Sequence, residues 1–368
     1  MKILSVSIDQ KHFDETSDCF MRATEYAQLV SSYTVICFSA EPFDRCYWDS
    51  LRIVWTNSSN KALFIIDAIK TVVRKKLLRW VSLITCQDPF ETGFIWSMLK
   101  IFNRSVKLHI QDHGNFFVNT YWRWYSWLNL LRYSIWRFVL HYCDAVRTVS
   151  NKEKEYLEKI YTVPVTFVPI YTEKQSKAIY ENRIKDDFTM IMVCRLVKAK
   201  NLLLALEIMK ALKDTQSSIQ LRIVWDWPQR KLLEKYIQSH WLDDIVTLVW
   251  RKDNTQSEYE NASLYLSTSW SEWRWRSIIE AASYGIPSVI TDTWCAGDFV
   301  TQGKEWYIID NFSKEKFVKS IIDLYNDAEK LKTLWDNAHK KYKTLLTKEE
   351  TLKIYLQSWK SVFYNDKK

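Results

Sequence analysis

Five side chains in the second half of this 368-residue chain could act together on a ligand. Arg195 and Lys200 lie in VCRLVKAKN, where an apolar run gives way to a helical pattern. Two cations at a helix N-terminus make a cradle for phosphate, because the helix dipole and the unpaired N–H groups of the first turn add to their charge. Asp226 sits in IVWDWPQ, an Asp-x-Pro turn that opens another helical segment. Glu272 and Glu280 bracket EWRWRSIIE, the first before a helix and the second inside it. At a helical rise of about 1.5 Å per residue they stand roughly 12 Å apart. That is too far to share a proton, and it suits two carboxylates gripping different hydroxyls of an extended ligand. Each feature alone also has a plain structural reading: solvated bases, a helix start, an acidic first turn.

The elements that must position these residues alternate between strand and helix, twice over. In the first half, apolar runs at 3–8, 33–38, 81–85, 106–110, 145–149 and 165–168 predict strands, with helical periods at 17–30 and 128–142 between them. A second series predicts strands at 190–193, 221–224, 246–249, 264–267, 288–291 and 307–309, and helices at 202–212, 229–239, 257–261 and 277–284. A nearly unbroken helical pattern follows over 313–363. The alternation argues for an α/β chain of two doubly wound units with parallel sheets. The expected division is a first domain at 1–170, a polar linker at 171–187, a second domain at 188–345, and a terminal helix at 346–368 that packs back on the first domain. Ligands of such sheets sit beyond the carboxyl ends of the strands, which is where Arg195, Asp226 and Glu272 fall.

The net charge of +9 and a pI near 9.0 fit attraction to nucleotide phosphates or an anionic membrane, and equally a solvated surface. Lys70, Arg74, Lys75, Lys76 and Arg79, interleaved with Ile69, Val72, Val73, Leu77 and Leu78, predict one basic amphipathic helix. Such a helix suits a membrane surface or simple packing. No nucleic-acid motif accompanies it, so no nucleic-acid partner is expected. There is no run of about 18 apolar residues, and MKILSVSIDQ reads as a first strand rather than a signal peptide. Seven cysteines without a Cys-x-x-Cys pair suggest reduced thiols. A cytoplasmic protein, peripheral on the inner face of the cell membrane, is the expectation. His109 and His113 share a strand face beside Asp112, but no third ligand is evident and no metal is expected.

In this order and context, Arg195, Lys200, Asp226, Glu272-x7-Glu280 and Gly285-Ile286-Pro287 resemble the retaining glycosyltransferases of family 4. The first half is similar through KILSVSI at 2–8, QDPFETG at 87–93, LHIQDHGNFF at 108–117 and YWR at 121–123, so the resemblance runs from Lys2 to about Tyr325. It implies the GT-B fold, two Rossmann-like domains facing across a cleft, with the acceptor in the first and a nucleotide-sugar in the second. By position, Arg195 and Lys200 match the residues that hold the diphosphate, Glu280 the carboxylate on the ribose hydroxyls, and Glu272 the one at the transferred sugar. His113 matches a histidine near the reacting centre. Asp226, Arg274 and Ser277 complete the implied donor-binding set. Preorganised cations suit this chemistry because charge grows on the departing phosphate oxygens. The implied donor is a UDP- or GDP-sugar, used without metal or further cofactor. The implied acceptor is a glycan or lipid-linked acceptor of surface polysaccharide synthesis. A non-catalytic GT-B scaffold and a sugar-nucleotide epimerase of the same fold stay open.

One departure from that pattern is systematic. The chain has 5 Gly and 19 Trp, where ordinary usage of about 7% would place roughly 26 Gly. Trp273 and Trp275 stand where the family carries glycine, and Trp225 and Trp227 flank Asp226 where it has Gly-Asp-Gly-Pro. Trp241, Trp250, Trp294, Trp306 and Trp96 also occupy expected glycine positions. A genetic code that reads UGA as glycine, translated as tryptophan, accounts for them together.

Overall fold

Short runs of Val, Ile and Leu that are apolar on both faces favour parallel sheets covered by helices, and the computed structural model contains two. It describes residues 1–367 apart from 41–43, 61–62, 103–104, 170, 172–187, 217, 226–227, 253, 273–275, 294–298, 300 and 305. Contacts divide the chain into one unit of Met1–Pro169 with Thr347–Lys368 and a second of Ile170–Leu346. The expected linker, Tyr171 apart, lies outside the described residues.

The first unit is built on eight strands: β1 (Lys2–Ser7), β2 (Ser32–Cys37), β3 (Asp44–Tyr47), β4 (Leu51–Trp55), β5 (Leu83–Cys86), β6 (Lys107–Asp112), β7 (Ala145–Thr148) and β8 (Val165–Phe167). Their order is β3-β4-β2-β1-β5-β6-β7-β8, and only β3 runs antiparallel to its neighbour. Helices α1 (Asp18–Gln28), α2 (Phe64–Arg74), α3 (Glu91–Phe102), α4 (Thr120–Tyr125), α5 (Trp127–Tyr142) and α6 (Asn151–Ile160) connect them. The starts of α1 and α6 are set by Ser17 and Ser150, whose hydroxyls accept from the backbone N–H three residues on.

Two expectations change here. The antiparallel β3 and the parallel β4 beside it were not among the predicted strands. The five basic residues also do not share one helix. Helix α2 ends at Arg74, Lys76 takes φ 53° and Leu77–Trp80 is a separate 3₁₀ turn. Lys75 is drawn away to Asp44 of β3, 2.6 Å off.

The second unit has six parallel strands, β9 (Phe188–Val193), β10 (Ile219–Val224), β11 (Val246–Val249), β12 (Leu264–Ser267), β13 (Ser288–Thr291) and β14 (Trp306–Ile309). They lie in the order β11-β10-β9-β12-β13-β14. Helices α7 (Leu202–Lys213), α8 (Arg230–Ser239), α9 (Gln256–Glu260), α10 (Arg276–Ser283), α11 (Lys314–Asn326) and α12 (Ala328–Lys343) cover them. Every residue of β9 and β12 is buried, so neither strand can slip register without losing apolar contacts on both faces. The chain lays β10 and β11 on one side of β9, then crosses to lay β12, β13 and β14 on the other. The sheet therefore reverses its winding between β9 and β12, the place where open α/β sheets bind ligands.

Helix α13 (Lys348–Lys360) belongs to the first unit. A capping box of Thr347 and Glu350 starts it. Tyr355 stacks on Tyr26 with ring centroids 4.6 Å apart, and Trp359 lies fully buried against Tyr33.

Two exposed tryptophans occupy left-handed backbone, Trp48 at φ 53° and Trp241 at φ 51°. For a side chain with a Cβ this conformation costs about 1–2 kcal/mol. The indoles are 68% and 79% exposed, so little burial offsets it. Trp48→Gly and Trp241→Gly should each raise the free energy of urea unfolding by about 1 kcal/mol. Lower stability in both variants would show that the left-handed indoles carry no such strain.

Candidate active site

The switch point of the second sheet is occupied by an ion pair. After β9 the chain passes Cys194 and Arg195 into a 3₁₀ turn, Lys198–Lys200, and Asn201 at φ 49° opens α7 without capping it through its side chain. After β12 comes Thr268 to Glu272. Lys200 Nζ donates to both carboxylate oxygens of Glu272, at 2.7 and 2.6 Å. The side chains are only 17% and 8% exposed. Ser269 Oγ donates to Glu272 Oε1 at 2.5 Å.

The two loops are also tied through their backbones. Trp270 N–H donates to the Ala199 carbonyl at 2.9 Å, and Thr268 Oγ1 lies 3.1 and 3.0 Å from the carbonyls of Lys200 and Asn201. Thr291 Oγ1 of β13 donates to Ser269 O at 2.7 Å. Two loops separated by some seventy residues of sequence thus behave as one structure. An ammonium has three N–H donors, so two held by Glu272 leave a third to meet an anion. The neighbouring Cys194 is held as a neutral thiol, its pKa pushed up to about 12 by burial, with Glu272 adding to the rise and Lys200 opposing it.

One helix further on, α10 carries Ser277 and Glu280. Buried Tyr259 of α9 donates to Glu280 Oε2 at 3.1 Å and lies 3.2 Å from the Ser277 carbonyl. Ser277 Oγ meets Tyr265 OH of β12 at 2.7 Å. Burial raises the Glu280 carboxyl above its ordinary value, while the Tyr259 hydroxyl and the Arg276 charge pull it back.

Of the residues that the sequence marks, Lys200 and Glu272 are in direct contact, and Ser277 and Glu280 are joined through Tyr259. Arg195 is exposed on the loop after β9. Asp226 and Arg274 lie outside the described residues. His113 is in the first unit, half-buried, on the loop that follows β6. Sequence reasoning missed Ser269 and Tyr259. The first had a signal, since Ser269-x-x-Glu272 has the spacing of a side chain that caps its own loop; the second had none. Among the described residues no group of three or more His, Cys, Asp or Glu could hold a metal ion.

The tryptophans at expected glycine positions fall into three sets. Trp227, Trp273, Trp275 and Trp294 lie outside the described residues. Trp225, directly after β10, takes φ 147° and Trp241 takes φ 51°, both in the half of backbone space that favours glycine. The rest are packed or exposed without that constraint: Trp96 is buried in α3, Trp250 carries the Arg230 guanidinium 3.9 Å from its ring, and Trp306 is buried in β14.

The two carboxylates should respond oppositely to loss of charge. Glu272→Ala leaves a half-buried Lys200 without its counter-charge and should destabilise the protein by roughly 3 kcal/mol. Glu280 has a raised folded-state pKa, so its ionised form is the one the fold disfavours at neutral pH. Glu280→Gln removes that charge while keeping an acceptor for Tyr259, and should leave neutral-pH stability unchanged or higher. Denaturant titration of both variants checks this; a stable Glu272→Ala would mean that the ion pair does not hold the loops.

Comparison with known proteins agrees with this fold. Residues 174–341 match the family model described as Glycosyl transferases group 1. The poly(glycerol-phosphate) alpha-glucosyltransferase of Bacillus subtilis (strain 168) is 26% identical over 219 residues, 59% of this chain and 32% of its own length. The alpha-monoglucosyldiacylglycerol synthase of Acholeplasma laidlawii is 23% identical over 197 residues, 52% of this chain and 48% of its own. The chain thus spans less than half the length of either curated relative. The sucrose-phosphate synthase of Thermosynechococcus elongatus superimposes with a TM-score of 0.76 at 17% identity, covering 99% of this chain and 100% of that one. Two doubly wound sheets and these likenesses lead to one conclusion: the chain has the GT-B fold, and its residues 174–341 are similar to the Glycosyl transferases group 1 family.

Proposed function

We propose that the protein is a glycosyltransferase that moves a sugar, with retention at the anomeric carbon, from a UDP- or GDP-sugar to a glycan or lipid-linked acceptor of the cell surface. The observation that carries this reading is the Lys200–Glu272 pair at the switch point of the second sheet, which fixes a cation with one remaining N–H donor on the same loop as the exposed Arg195. Arg195 and the remaining N–H of Lys200 take up charge on the departing diphosphate, which grows in the transition state and is met by donors already in place. Glu280, steadied by Tyr259, grips the ribose hydroxyls, and Glu272 meets the transferred sugar. Asp226, Arg274 and Ser277 complete the donor contacts, and His113 serves the reacting centre. The leaving phosphate helps to take the acceptor's proton, so neither a strong side-chain base nor a metal is needed.

Two relatives suggest the acceptor class, since their names describe glucosyl transfer to a glycerol-phosphate polymer and the making of a glucosyldiacylglycerol. Among the described residues no helix is long and apolar enough to cross a membrane. Exposed Lys70, Arg74, Lys76 and Arg79 give the first unit a cationic surface suited to an anionic bilayer at the cytoplasmic face. Glycine at positions 225, 227, 273 and 275 in the protein's own host belongs to the same reading. Trp225 at φ 147° supports it, because a residue with a Cβ is strained there.

The test is release of UDP or GDP from the matching nucleotide-sugars, with and without glycerol-phosphate polymer or diacylglycerol acceptors. Acceptor-dependent release is expected, faster when glycine replaces the four tryptophans, and lowered at saturating donor by Arg195→Ala. No release from either version would overturn the proposal in favour of a non-catalytic scaffold. Donor turnover that ignores every acceptor would instead indicate an epimerase.

A further inference from the structure

His113 does not stand alone on its loop. Arg147, near the end of β7 and buried, brings Nη1 to 3.0 Å from His113 Nδ1. The same nitrogen lies 3.4 Å from Gln111 Oε1, and Nη2 lies 3.4 Å from the Val168 carbonyl. The Tyr355 ring of α13 covers the guanidinium at 4.8 Å, and its hydroxyl bonds to Gln111 Oε1. Arg147 is thereby clamped by β6, by the segment after β8 and by the returning C-terminal helix.

The loop that carries His113 is anchored from below. Asp112 accepts from Gly114 N at 2.8 Å, from Phe116 N at 3.3 Å and from Trp136 Nε1 at 3.1 Å. Glu153 of α6 accepts from Phe117 N at 3.0 Å and from Thr148 Oγ1 at 2.7 Å. Both carboxyls are fully buried. Burial pushes Asp112 up to about 6 and Glu153 well above its ordinary value. On α4, Arg123 donates to the Phe117 carbonyl at 2.6 Å.

A guanidinium carries five N–H donors, no acceptor, and does not lose its proton. Its hydrogen bond to Nδ1 therefore requires a lone pair on Nδ1. A proton on that nitrogen would set two N–H groups against each other beside a buried cation. We infer that Arg147, held by Tyr355 of the C-terminal helix, is a positioning residue that fixes His113 as a neutral imidazole with its proton on Nε2. In that form the only basic nitrogen of His113 is occupied by Arg147. The consequence for transfer rests on the function proposed above; the tautomer itself does not.

The test is therefore spectroscopic and needs no sugar transfer. The full chain, labelled with ¹⁵N-histidine, is examined by long-range ¹H–¹⁵N correlation at neutral pH, and His113→Asn identifies the His113 signal among the six histidines. The expected pattern is a protonated Nε2 and an unprotonated Nδ1. Arg147→Met should turn His113 into a mixture of tautomers, and Arg147→Lys, which keeps one cationic donor, should restore the single form. A proton on Nδ1 in the unaltered protein overturns the inference even if the Met variant does not fold. So does a folded Arg147→Met variant whose His113 signal matches that of the unaltered protein.

Discussion

The second unit depends on one ion pair placed where its sheet changes direction. Neighbouring strands β9 and β12 leave the sheet into loops that diverge toward different helices, and nothing in the winding itself holds those loops together. Lys200 and Glu272 do, with Ser269, Thr268 and Trp270 closing the seam through hydrogen bonds. Removing either partner would leave the other's charge uncompensated at a place mostly closed to water. The same pairing sets what the site can do. It spends both oxygens of Glu272 and two donors of Lys200 on structure, and leaves one ammonium proton and the exposed Arg195 as the cationic edge.

The second half of the fold was legible because its strands are short apolar runs between helical periods. The predicted strands at 246–249, 264–267 and 288–291 coincide with β11, β12 and β13. Where burial does not impose a pattern, legibility fails. Strand β3, DRCY, is a mostly exposed edge whose residues say nothing about pairing; the neighbouring β4, LRIVW, is largely buried and was missed despite its apolar run. The break after Arg74 was hidden for a related reason. A helical period continues across it, while the capture of Lys75 by Asp44 is a contact made thirty-one residues away.

The candidate site shows the same division. Glu272, Glu280, Arg195 and Lys200 stand out by type and spacing, because charged side chains at strand ends need a reason to be there. Their supports do not. Tyr259 reaches Glu280 from the preceding helix, and Arg147 reaches His113 across a strand pair, under a ring supplied by residue 355. Those contacts depend on topology, which local spacing does not encode. Of the tryptophans at expected glycine positions among the described residues, Trp225 and Trp241 take the positive φ that glycine tolerates best, while Trp96, Trp250 and Trp306 do not.

The account rests on Lys200 and Glu272 acting as one unit that receives a nucleoside diphosphate. A double-mutant cycle measures this most directly, using calorimetric affinity for UDP or GDP in the Lys200→Met, Glu272→Gln and combined variants, each carrying glycine at 225, 227, 273 and 275. If the pair is a unit, each single change weakens binding and the combined change costs clearly less than their sum, with a coupling of about 1–3 kcal/mol. Strictly additive losses, or affinity untouched by either change, would contradict it.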